Sequence, residues 1–97
     1  MSYMFDEATS FDQDLSGWPV VKVENMYAMF RDASSFDQDL SSWQVSNVGN
    51  MHDMFYGASA FDQDLGWCVD NGVDTGLMFN RAACTLPSCN VTQGSCP

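Results

Sequence analysis

The chain has 97 residues, enough for one small domain. Hydrophobic residues make up 45% and aromatics 13%, too many core formers for intrinsic disorder despite a net charge of -10. Thirteen acids face three basic residues, Lys22, Arg31 and Arg81, which excludes electrostatic binding to nucleic acid or anionic lipid. No apolar run approaches the roughly 20 residues that span a bilayer, so no membrane span is expected. The stretch Met1 to Glu7 has neither the basic region nor the apolar run of a signal peptide.

An internal repeat dominates the chain. Phe-Asp-Gln-Asp-Leu occurs at Phe11 to Leu15, Phe36 to Leu40 and Phe61 to Leu65, spaced by 25 residues. Met-Phe pairs precede it at Met4-Phe5, Met29-Phe30 and Met54-Phe55, and recur at Met78-Phe79. Trp18, Trp43 and Trp67 follow, each with a valine two residues on, and one residue is missing between Leu65 and Trp67. Large side chains confined to fixed phases of a long period predict a solenoid, in which each coil buries its face against its neighbours.

Within a unit, Met26, Met29, Phe30 and Ala33 at i, i+3, i+4 and i+7 predict one helical turn, with Asn25 or Asn50 placed to cap it. Trp43 and Val45 then alternate as on a short strand. Strands of successive coils are expected to stack in parallel, about 4.8 Å apart. Residues 1–83 form the predicted three-coil solenoid with a partial fourth Met-Phe unit; residues 84–97 form a Cys-rich C-terminal cap. Met1 falls on the phase of Met26 and Met51, so the chain opens at a repeat boundary, as an excised fragment would. That leaves the first coil an uncapped edge prone to self-association.

The repeat aligns six carboxylates in two columns, Asp12/Asp37/Asp62 and Asp14/Asp39/Asp64. Like charges about 4.8 Å apart repel. They can splay into solvent, cap turns by accepting backbone N–H bonds, or bind a cation. Oxygen ligands from consecutive coils suit Ca²⁺, so these six residues are the candidate metal ligands, although no cofactor is required. Gln13, Gln38 and Gln63 are candidates for amide stacks. His52 reads as a surface residue and the Met columns as core filler.

All four cysteines, Cys68, Cys84, Cys89 and Cys96, lie in the last third of the chain. They read as two disulfides of open connectivity, since no Cys-x-x-Cys knuckle supports zinc. Disulfides imply an oxidising compartment, and Asn90-Val91-Thr92 adds a glycosylation sequon at Asn90. Both features point to an extracellular or cell-surface location.

The run Met51-x-x-Met54-Phe55-x-x-Ala58-x-x-Phe61-x-Gln63-Asp64-Leu65, preceded by Leu40-Ser41-Ser42-Trp43-x-Val45-Ser46-Asn47-Val48, resembles the surface repeat of mycoplasma lipoproteins. That family has no assigned molecular function and is related to the BspA-like branch of leucine-rich repeats. The resemblance covers about residues 1 to 83. It implies an extracellular, leucine-rich-repeat-like solenoid used in display, adhesion or protein interaction, and it brings no catalytic residues. Asp12, Asp37 and Asp62 stand where the family usually has Asn, so an Asn ladder cannot be carried over unchanged.

No nucleophile elbow, phosphate loop or metalloprotease helix is present, and one histidine cannot supply an acid–base set. The reading is therefore a non-enzymatic interaction or adhesion module for a protein or glycan partner. The alternative is a building block whose coils stack end to end into filaments or a matrix, with calcium dependence able to overlay either.

Overall fold

The segment Met26 to Ala33, expected to be helical, shows how the chain is built in the computed structural model, which describes residues 1–94. Alternate N–H groups turn back three residues. Met29 donates to the Met26 carbonyl at 3.2 Å, Arg31 to Ala28 at 3.2 Å and Ala33 to Phe30 at 3.1 Å. The N–H groups between them leave the unit altogether. Ala28 donates to the carbonyl of His52 at 2.9 Å, Phe30 to Met54 at 2.8 Å and Asp32 to Tyr56 at 2.7 Å.

Two left-handed residues per unit impose this alternation. Ala28 has φ 52° and Asp32 φ 57°; the same phases hold Tyr3 and Glu7, Asp53 and Gly57, and Leu77 and Arg81, all with positive φ. An α-helix needs an unbroken run of right-handed residues, and one left-handed residue ends it. A break every fourth residue leaves only turns. Asn25 and Asn50 accordingly do not cap helices. Each opens a turn by accepting an N–H bond two residues on, from Tyr27 at 2.9 Å and His52 at 3.0 Å.

The leucine-rich-repeat-like solenoid of one helical turn and one strand per coil is thus overturned. The described residues contain no helix and a single sheet. That sheet joins β1 (Trp67–Val69) to β2 (Val91–Gln93) in parallel, in the register Trp67↔Val91, Cys68↔Thr92 and Val69↔Gln93. Elsewhere only isolated parallel bridges form, Asn25↔Asn50 and Asn50↔Asp74.

The strand expected at Trp43 and Val45 fails for a local reason. The Trp43 N–H turns back to the Leu40 carbonyl at 3.0 Å, and the Val48 N–H to Val45 at 3.1 Å, so neither can join a ladder. Side chains reach the preceding unit instead. The Trp43 indole donates to the Leu15 carbonyl at 2.9 Å, the Ser42 hydroxyl to Ser16 at 3.1 Å and the Asn47 amide to Val21 at 2.7 Å. In the third unit one residue fewer separates leucine from tryptophan. Gly66, with φ 64°, replaces the Ser41-Ser42 turn, and the chain runs straight into β1.

The core lies between successive units. Met26, Met29, Phe30, Phe36, Met51, Met54, Phe55 and Phe61 are wholly buried. Phe5, Phe30, Phe55 and Phe79 form one column, with ring centroids 5.4, 5.3 and 5.3 Å apart. Phe11, Phe36 and Phe61 form a second, at 5.8 and 5.9 Å. Rings of the two columns meet at 4.2 Å within each unit. Such offset pairs contribute roughly 0.5–1.5 kcal/mol each beyond their buried area. In the first unit Tyr3, Met4 and Trp18 are exposed where Ala28, Met29 and Trp43 are buried.

Candidate functional site: an acid–amide ladder

The Phe-Asp-Gln-Asp-Leu blocks place their aspartates on the surface, because the flanking Phe and Leu are drawn into the core. In the first column one carboxylate oxygen accepts two bonds from the next unit. Asp12 Oδ1 receives the Asp37 N–H at 3.0 Å and the Gln38 side-chain amide at 2.8 Å. Asp37 Oδ1 receives the Asp62 N–H at 3.1 Å and the Gln63 amide at 2.8 Å. The same glutamines touch the carbonyls of Asp12 and Asp37, at 3.2 and 3.3 Å. Neither an asparagine ladder nor a glutamine stack forms. A mixed ladder does, with glutamine supplying the donors that aspartate lacks.

The second column serves turns. Asp14 Oδ1 accepts the Ser16 N–H at 2.9 Å and Asp39 Oδ1 that of Ser41 at 2.8 Å. Asp64, where the serine is missing, instead accepts the side-chain amide of Asn90 at 2.9 Å. Asn90, the sequon residue, is exposed and has φ 59°. Among the described residues no group of three or more His, Cys, Asp or Glu side chains is arranged to hold a metal ion.

Hydrogen bonding holds several carboxyls below their ordinary range. For Asp12 the Asp37 N–H is the main cause, then Gln38; for Asp14 and Asp39 it is Ser16 and Ser41. The charge of Asp14 pushes Asp39 the other way and is the weakest influence on it. Asp74 is lowered by the Gly76 N–H and then by His52. Each group binds fewer protons folded than unfolded, so its contribution is complete above the unfolded pKa near 3.9 and is lost as pH falls through the lower folded value. The melting temperature should therefore decline progressively below about pH 4. Asp12→Asn keeps the acceptor oxygen but cannot take up the proton, and should flatten that decline in a series of melts across pH.

Sequence reasoning passed over a second polar cluster. His52 is half-buried, stacked on Tyr27 with centroids 5.5 Å apart, and its two ring nitrogens face Asp74 at 3.2 Å and Asp53 at 3.4 Å. Asp53 Oδ1 is buried there without a hydrogen bond. Arg31, counted above only among the three basic residues, has a specific partner. It grips Asp6 of the preceding unit with two bonds, 3.0 and 2.9 Å, lies over the Tyr3 ring, and is pushed up in pKa by Asp6. The 25-residue offset between Asp6 and Arg31 was the available signal.

Of the four cysteines, Cys84 and Cys89 are joined in a disulfide. No described cysteine is free, and Cys96 lies outside the described residues. The bridge anchors the segment after residue 84 against the third unit, where the Cys89 carbonyl accepts the Leu65 N–H at 2.8 Å. No helix among the described residues is long and apolar enough to cross a membrane.

These features define an internally repetitive, turn-built and disulfide-bonded domain with an acidic hydrogen-bonded surface. The chain belongs to the family described as Mycoplasma protein of unknown function, DUF285, whose model matches residues 1–90. No curated protein matches the chain, and neither does any solved structure.

Proposed function

We propose that the protein is a non-enzymatic extracellular interaction or adhesion module, which presents its acid–amide columns to cationic groups on a protein or glycan partner. The observation that carries this reading is the ladder itself. Asp12 and Asp37 are held in register by the unit that follows, so charge is displayed at a fixed repeat with little side-chain freedom left to lose on binding. The surplus of acids favours a basic partner and speeds its encounter. The disulfide supports an oxidising, extracellular setting.

Titration with an oligolysine peptide and with a neutral oligosaccharide tests the proposal. Binding of the peptide that weakens steeply with salt is expected, and Asp12→Asn/Asp37→Asn/Asp62→Asn, which keeps an acceptor oxygen at each position, should lower its affinity at least about tenfold. Equal or absent binding of both probes would overturn it.

A further inference from the structure

The turn that follows β1 is gripped by the end of β2. The Asp70 carbonyl accepts the Val73 N–H at 3.1 Å, which leaves Asn71 and Gly72 at the tip. The Gln93 side-chain amide meets the carbonyls of Val73 at 2.7 Å, Asp70 at 3.3 Å and Asn71 at 3.4 Å. Its oxygen accepts the Thr75 hydroxyl at 3.0 Å. The next residue, Gly94, donates its N–H to the Val69 carbonyl at 2.7 Å, and the Asn71 carboxamide lies where an added Cβ on Gly94 would collide with it.

Asn71-Gly72 is the one Asn-Gly pair in the chain. Asn25, Asn47, Asn50, Asn80 and Asn90 precede Met, Val, Met, Arg and Val, whose side chains shield the following backbone nitrogen. Glycine has no Cβ to do so and leaves the backbone free to bend. Both Asn71 and Gly72 are exposed. Among the described residues the Gly72 N–H has no acceptor, and the Asn71 side chain has no hydrogen-bond partner.

We infer that Asn71 is a site of spontaneous deamidation, which loosens the grip of β2 on the turn. The Gly72 nitrogen attacks Cγ of Asn71. The N–Cγ bond forms, the Cγ–Nδ2 bond breaks, and the amine leaves as ammonia with the proton that Gly72 gives up. Water then opens the cyclic imide at either carbonyl, giving aspartate or an isoaspartyl link. The only co-reactant is water, so the step proceeds in whatever compartment holds the protein. In the isoaspartyl product the Asn71 main-chain carbonyl, which faces Gln93, becomes a free carboxylate, and the main chain gains a methylene at the tip. The new charge also lies between exposed Asp70 and Asp74 in an already acidic chain. The change is one-way, so the C-terminal sheet weakens with age while the Met-Phe core is untouched.

Incubation of the intact protein in warm, mildly alkaline buffer, with a mildly acidic control, tests this by peptide mapping and mass spectrometry. Alkali should speed conversion, because the attacking amide must lose its proton. Acid should accumulate at Asn71 ahead of every other asparagine, with isoaspartate among the products. Gly72→Ala should slow conversion severalfold. Gly72 is not left-handed and an added Cβ meets nothing within 4 Å, so this variant keeps the fold. Hydrogen exchange at the Gly94 amide should quicken in the converted protein, and less so in Asn71→Asp, which adds the charge without lengthening the chain. No conversion in alkali, conversion elsewhere as fast as at Asn71, or an equal rate in Gly72→Ala would each overturn the site. Unchanged exchange at Gly94 after conversion would overturn its effect on β2.

Discussion

Phe55→Ala should lower the stability of the domain by about 3–5 kcal/mol, the cost of emptying a large buried aromatic site. Phe55 is wholly buried and central to the ring array. It stacks on Phe30 and Phe79 at 5.3 Å and on Phe61 at 4.2 Å, with Trp67 tilted against it at 6.4 Å. A native domain holds only about 5–15 kcal/mol in reserve. At about 4–8 °C per kcal/mol for a chain of this size, the melting temperature should fall by roughly 12–40 °C. Urea unfolding would give the same ordering. Phe11→Ala provides the contrast, because Phe11 is only half-buried and its column has no ring on the outer side, so its loss should be clearly smaller.

The second large effect concerns the bridge near the C-terminus. Cys84→Ala/Cys89→Ala removes a cross-link over a separation of five residues, a loop worth about 2 kcal/mol in the chain-entropy account. Substitution is preferable to a reducing agent because it leaves Cys68 untouched. The effect should be local as well as global. Freed of the bridge, the segment carrying β2 loses its hold on Leu65 and on β1, and amides of Val91–Gln93 should exchange faster than those of the central units. A melting temperature lower by about 10 °C is the expected global readout.

How much of this could be read from the sequence depends on the level. The 25-residue phase identified the core: Met29, Phe30, Phe36 and Leu40 are buried, as are Met54, Phe55, Phe61 and Leu65 in the following unit. The same spacing misled on local structure. Met26, Met29, Phe30 and Ala33 lie on one face of turns as readily as on one face of a helix, because the turns also return every three residues. What decides between them is left-handed backbone at the phases of Tyr3, Ala28, Asp53 and Leu77, and at those of Glu7, Asp32, Gly57 and Arg81. Only Gly57 and the aspartates among these carry any intrinsic leaning toward that region. Contacts with the neighbouring units select it, and no single unit encodes it.

The surface ladder was half legible. Two aspartate columns and a glutamine column follow from the repeat, and so does the absence of basic residues beside them. The bond between them does not follow, because Gln38 reaches back 26 residues to Asp12 and so crosses from one phase to the next. A comparison of like with like, phase by phase, pairs aspartate with aspartate and offers solvent, turn-capping N–H bonds or a cation against their repulsion; the turn caps are there at Asp14 and Asp39, and the glutamine bond is what it misses. At Asp39 the bonds from Ser41 outweigh the repulsion from Asp14, and its carboxyl is held below the ordinary range.

The shortened junction at Gly66 has a consequence for how such a chain can vary. Between leucine and tryptophan, two residues give a turn and one gives a strand, while Trp43 and Trp67 donate alike to the leucine carbonyl of the preceding unit, Leu15 at 2.9 Å and Leu40 at 3.2 Å. The indole bond thus works as a clutch: it keeps neighbouring units engaged whichever length the joint takes. One residue more or fewer at that point changes the local structure without slipping the stack, so this joint is where a difference in length between units is absorbed.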